Sequence, residues 1–306
     1  MRTISALITA TALVATLASC SALPGSAGSC EPAASSGTSS DAVTATGAFG
    51  ADPEASFPTP LVASDLEITV ITEGTGPLVA IGDTADVQAT LYEGSTGNAV
   101  SSSGYDSNSP LRAFAGAEDN FFVTVVACAT VGSRLAIAVD AQTVSANNPE
   151  NTPVVLIIDV VDSFLGKANG IDQLPERGMP SVVLAPNGQP GIVIPQVDPP
   201  SDLRVSVLKK GDGVEVAEGD KVVLNYTGML WDSSDIFDSS WNAGVPATVT
   251  STNLIDGFSD ALIGQTVGSQ VIAVIPPELG YGDAGTQGVA PGSTLVFVFD
   301  VLGIQK

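Results

Sequence analysis

Histidine is absent from this chain of 306 residues, and lysine and arginine number ten against 33 acidic residues. Without an imidazole there can be no Ser-His-Asp or Cys-His pair and no zinc site with histidine ligands. No Asp-x-Asp-x-Asp-Gly loop closed by glutamate is present either, so no metal and no cofactor is expected. Basic residues are too sparse to displace the counterions of a phosphate backbone, which discounts DNA and RNA as partners. The net charge of −23 reflects that shortage of bases as much as an excess of acids, and it reads as a solvated, self-repelling surface. Beyond the N-terminus no apolar run is long enough to span a bilayer. Glycine (32) and proline (20) are plentiful and hydrophobic residues make up 44%, a mix that favours short strands and turns. The length suits two domains of ordinary size.

Arg2 is followed by an apolar stretch from Ile4 to about Ala18, which has the form of an export signal over 1–19. Its ending, Leu17-Ala18-Ser19-Cys20, resembles a bacterial lipobox, in which the chain is cut before the cysteine and the sulfur takes a diacylglycerol. The alternative is a plain secretory signal with an incidental cysteine. Two acyl chains on Cys20 would meet the condition for stable anchoring, giving an extracytoplasmic protein lipid-anchored to the bacterial cell membrane. Residues 20–57 are rich in Ser, Ala, Gly and Thr without an apolar period, and read as a flexible tether. An exported chain can keep a disulfide, and Cys30 and Cys128 permit one pairing. The other reading is two unpaired thiols, one of them buried.

The chain then repeats itself. Ser64–Gly76 (SDLEITVITEGTG) parallels Ser201–Gly213 (SDLRVSVLKKGDG), each an alternating run entering a Gly-x-Gly turn. Gly82-Asp83 parallels Gly219-Asp220, Val131-Gly132-Ser133 parallels Val267-Gly268-Ser269, and Ile158-Asp159-Val160 parallels Phe299-Asp300-Val301. Matches in order at nearly constant offset argue for related domains at 58–165 and 201–306, against chance likeness between glycine-rich strands. The Pro- and Gly-rich stretch 166–200 reads as a linker, with Pro190–Pro195 as an extended edge segment. The second copy alone has Gly280-Tyr281-Gly282. The first places Ala89 opposite Tyr226 and Val100-Ser101 opposite Phe237-Asp238.

From Val205 onward the sequence resembles the FKBP-type peptidyl-prolyl cis-trans isomerases. Carrying the resemblance are Asn225–Leu230 (NYTGML), Phe237–Ser240 (FDSS), Leu254–Phe258 (LIDGF), Val267-Gly268, Pro276–Gly282 and Thr294–Phe297, in family order and spacing. The first copy resembles the same fold only faintly. The implied fold is α+β: two FKBP-like domains, each an antiparallel sheet of about five strands curled around a short helix. Residue patterns agree, since Phe258, Ala261 and Leu262 have helical spacing before Gly264, and the flanking runs are β-branched.

By resemblance, Tyr226, Phe237, Ile255, Phe258 and Phe297 line a pocket with Phe258 as floor and Leu254 and Val289 at the edge. Asp238 is a polar contact beside Tyr226, and Tyr281 donates from the rim. Ordinary core packing is the other reading for each aromatic. The family often has tryptophan where Phe258 stands and a second aromatic where Ala247 stands. It usually has a basic residue where Trp241 stands. A more open pocket follows, which weakens binding of a macrolide ligand more than peptide turnover.

Such a pocket needs no base. Rotation about an X–Pro bond is opposed by roughly 18–20 kcal/mol of lost amide resonance. An apolar site lowers that barrier by stripping water from the planar amide and favouring a geometry partway to the twisted one. The expected function is a prolyl isomerase acting on proline-containing segments of exported polypeptides. The rival is a non-catalytic lipid-anchored chaperone or scaffold that binds extended chains. A solute-binding lipoprotein is weaker, because nothing suggests a two-lobed α/β architecture.

Overall fold

The computed structural model describes residues 30–106, 109–113, 121–144 and 152–305. The export signal, Cys20 and the first part of the expected tether lie outside the described residues. A one-turn helix α1 (Thr38–Asp41) and a hairpin of β1 (Thr44–Thr46) and β2 (Glu54–Ser56) lead into β3 (Glu67–Thr72). There follow β4 (Thr84–Glu93), β5 (Ala99–Ser102), β6 (Leu111–Ala113), α2 (Phe121–Val126), β7 (Arg134–Asp140), α3 (Ala141–Val144) and β8 (Pro153–Phe164). A second leader holds β9 (Ile171–Asp172) and a hairpin of β10 (Ser181–Leu184) and β11 (Pro190–Val193). It precedes β12 (Arg204–Lys210), β13 (Lys221–Leu230), β14 (Ile236–Ser239), α4 (Ser240–Ala243) and β15 (Ala247–Thr250). Helix α5 (Asp256–Leu262), β16 (Gln270–Ile275), a 3-10 turn (Pro277–Leu279) and β17 (Leu295–Gln305) complete the chain.

The first half forms a six-stranded sheet in the order β3-β7-β8-β4-β5, with β6 also paired to β4. The second half forms a seven-stranded sheet in the order β9-β12-β16-β17-β13-β14, with β15 also paired to β13. Without β9 the two orders coincide. The strands beyond the five expected are the short β6 and β15 and the leader's β9. On one face of each sheet lies a helix. Val125 and Val126 of α2 pack with Val87, Leu135 and Ile158, and Phe258, Ala261 and Leu262 of α5 pack with Leu224, Val271 and Phe299.

The repeated motifs are joints. A Cβ on Gly74 would stand 2.3 Å from the Val131 carbonyl oxygen, and one on Gly211 would stand 2.2 Å from that of Val267. The Gly74 N–H donates to Ser133 Oγ at 2.9 Å and the Gly211 N–H to Ser269 Oγ at 3.0 Å. Gly132 and Gly268, at φ +94 and +91, bend the chain so that their N–H groups reach the carbonyls of Val160 and Val301. Only glycine adopts that backbone freely. Asp83 and Asp220 close their turns by accepting from the N–H groups of Ala80 and Ala217.

The described part of the stretch read as a tether, from residue 30 on, and the stretch read as a linker are folded over the other face of each sheet. Val43 and Phe57 pack on Ala136, Ala138, Val155 and Ile157 of β7 and β8. Met179, Val182, Ile192 and Ile194 pack on Ile272, Val274, Val296 and Val298 of β16 and β17. The reason is that these central strands are apolar on both faces, and the second face must also leave water. Each leader is pinned to a buried aspartate. Arg134 pairs with Asp159, which also accepts from the Gly50 N–H at 2.7 Å, and donates to the carbonyls of Gly47 and Ala48. In the second half Gln270 donates to Asp300, which also accepts from the Ala168 N–H at 2.9 Å. Pro190–Val193 pairs with Ser181–Leu184 as a hairpin, and β9 takes the place beside β12. Cys30 and Cys128 are each disulfide-bonded.

Candidate functional site

Strand β13 pairs with β17 on one side and with β14 on the other, which brings Tyr226, Phe297 and Phe237 onto the face that α5 covers. The aromatic rings interlock. Phe258 lies 4.9 Å from Phe297 edge-on and 4.8 Å from Phe299 in a stack. Phe237 meets Phe297 edge-on at 5.5 Å, and Tyr226 stands 6.5 Å from Phe258. Such edge-to-face contacts suit the ring quadrupoles and hold the walls at defined angles. Phe258 and Phe297 are buried, whereas Tyr226, Phe237 and Tyr281 are half-buried, so the cluster opens to water on the Tyr226 side.

The Tyr226 hydroxyl donates to Asp238 Oδ2 at 2.7 Å. Burial, reinforced by the Asp238 carboxylate bonded to it, pushes the Tyr226 phenol well above the ordinary tyrosine range. Burial first and Asp238 second also raise Tyr281. Both phenols therefore stay protonated as hydrogen-bond donors, with the carboxylate at the pocket's mouth.

Every residue expected in the pocket lies in or against one apolar cluster, apart from Asp238, which joins through Tyr226. Leu254 and Ile255 precede α5 and are partly buried, and the Ile255 carbonyl accepts from the N–H groups of Phe258 and Ser259. Val289, expected at the edge, is enclosed at 4% exposure. Tyr281 follows the 3-10 turn and its carbonyl accepts from the Gly285 N–H. Two residues escape sequence reasoning. Phe299 backs the floor by stacking on Phe258. Gly228 clears the space that Phe237 needs, since a Cβ there would stand 2.7 Å from both Phe237 and Phe297. The signal was the first half's Leu91 at the equivalent position.

The hydroxyl ladder behind the site occurs in both halves. The Tyr226 N–H donates to Ser240 Oγ, and Ser240 Oγ to Asn225 Oδ1, each at 3.0 Å. Equivalently the Ala89 N–H donates to Ser103 Oγ at 3.2 Å, and Ser103 Oγ to Gln88 Oε1. Yet Tyr226, Gly228, Phe237, Asp238 and Phe297 are replaced by Ala89, Leu91, Val100, Ser101 and Leu156. The scaffold is shared and the pocket lining is not. Among the described residues no group of acidic or cysteine side chains is placed to hold a metal. No helix among them is long and apolar enough to cross a membrane.

Residues 213–302 match the family model of the FKBP-type peptidyl-prolyl cis-trans isomerases. An FK506-binding protein of Streptomyces anulatus is 34% identical over 120 residues, 38% of this chain and 97% of that protein. The isomerase FkpA of Escherichia coli K12 is 38% identical over 99 residues, 32% of this chain but only 36% of FkpA. The crystal structure of Escherichia coli FkpA, at 33% identity, covers 42% of this chain and 53% of that one with a TM-score of 0.33.

Proposed function

The chain belongs to the FKBP-type peptidyl-prolyl cis-trans isomerases, and from that premise we propose that it is a lipid-anchored folding catalyst for exported proteins. Residues 201–306 would be the catalyst, with Tyr226, Phe237, Asp238 and Tyr281 acting on the X–Pro bond and Leu254, Ile255, Phe258, Val289 and Phe297 holding the proline ring. The observation that carries this is the aromatic box closed by the Tyr226–Asp238 hydrogen bond. An apolar floor favours the less polar twisted amide, and the protonated phenols orient its carbonyl without proton transfer. Residues 58–165 would be a degenerate FKBP-like copy, a reading supported by the shared strand order and hydroxyl ladder. Anchoring through Cys20 and an extracytoplasmic location rest on the N-terminal sequence.

The test is exchange NMR on a short X–Pro peptide with the full chain. Wild type should accelerate exchange, and Asp238→Ala and Tyr226→Phe should each lower kcat/KM by roughly tenfold while remaining folded. A folded chain that leaves exchange at its background rate would replace catalysis with chain binding alone. Metabolic labelling with a fatty acid that depends on Cys20 would test the anchor.

A further inference from the structure

The excursion from β14 to α5, residues 240–255, carries pocket residues at both ends, with Asp238 just before it and Leu254 and Ile255 closing it. Its middle, β15, pairs with β13 and is also held from outside the 213–302 segment. Arg112 of β6, in the first half, donates to Thr248 Oγ1 of β15 at 2.6 Å. The same guanidinium grips the buried Asp86 through its other two nitrogens, at 2.7 and 2.8 Å, and lies 5.2 Å above the Phe164 ring. A guanidinium fixed on three sides has little freedom to lose, so its bond to Thr248 is a rigid strut. The bond itself is exposed to solvent, but beside it the halves pack against each other. Phe164 is buried with Val223 and Leu302, the Leu165 N–H donates to the Leu302 carbonyl at 3.1 Å, and Gly303 makes room for the Phe164 ring. Gln305 adds a bond to Asp86 at 3.3 Å. The neighbour of Thr248, Ala247, packs against the cluster that holds Phe258 and Phe297.

We infer that Arg112 is a positioning residue for the isomerase site: the first half braces β15, and through it the wall that carries Leu254 and Ile255. The inference rests on the isomerase reading of the pocket. Without the brace β15 keeps its pairing with β13 but gains freedom that substrate binding must remove, so the cost falls on binding rather than on bond rotation. Replacing Arg112 strips the buried Asp86 of its partner and endangers the fold, so the decisive change is made at Thr248, which leaves the Arg112–Asp86 pair intact. In the full chain, Thr248→Val is expected to raise KM for the X–Pro peptide about 3- to 10-fold at unchanged kcat and melting temperature, while Thr248→Ser stays at wild type. An active wild type with an unchanged KM in Thr248→Val overturns the brace and leaves the isomerase standing. An equal rise in Thr248→Ser also overturns it, because the hydrogen bond is then not the cause. A folded wild type without exchange activity removes the isomerase reading itself.

Discussion

Gly228 decides whether this strand can carry an aromatic pocket. The Phe237 ring crosses directly over it, and Phe297 closes from the neighbouring strand. In the first half the equivalent residue is Leu91, and the ring it would displace is already gone, replaced by Val100. The two substitutions make sense only together. Gly228→Leu should therefore push Phe237 out of the box and cost about 100-fold in kcat/KM, the scale on which misplaced walls act. Adding Phe237→Val should recover thermal stability without recovering activity, which peptide exchange and a melting curve would separate. A Gly228→Leu chain with wild-type turnover would mean that Phe237 is only core.

The glycine joints explain why the repeat was legible in the sequence. Gly74 and Gly211 sit against a backbone carbonyl, Gly132 and Gly268 take positive φ, and Ser133 and Ser269 accept the N–H groups of Gly74 and Gly211. These are local demands that admit one residue type, so they survive in both copies while pocket aromatics diverge. The pocket residues were read through the resemblance of their motifs to the FKBP-type family, and the fold brings them to one cluster. The leaders were not legible. Short hairpins such as β1–β2 and β10–β11 have no period of their own, and the Gly and Pro around them read as loop. Their fold depends on a sheet face supplied from elsewhere in the chain. The trace they left was indirect: Val154–Val160 and Leu295–Leu302 run apolar almost without alternation, which demands cover on both faces. Because the joints are equivalent, Gly74→Ala and Gly211→Ala should do similar damage, about 3 kcal/mol each by forced overlap with a carbonyl. With the chain from Glu31 onward one compact unit, urea unfolding should move as a single transition in both variants. Two transitions, only one of them displaced by Gly74→Ala, would show halves that unfold separately.

A chain with net charge −23 tolerates further negative charge poorly, and its four tyrosines are where alkali would add it. All four phenols are raised above their ordinary value. Burial is the first cause at Tyr92, at Tyr105, which is pushed up to about 12, and at Tyr226 and Tyr281, where Asp238 adds to it. An unfolded tyrosine ionises near pH 10, while the folded ones hold their protons longer, so each contributes stability that is complete below about pH 10 and lost as pH rises through its folded value. Tyr92 and Tyr105 belong to the first half and Tyr226 and Tyr281 to the second, so alkali loads both sheets at once. Tyrosinate absorbance is therefore expected to lag behind a simple titration near pH 10 and then to appear together with loss of the β-sheet circular dichroism signal. If all four phenols ionise near pH 10 with both sheets intact, they are not buried as the fold places them.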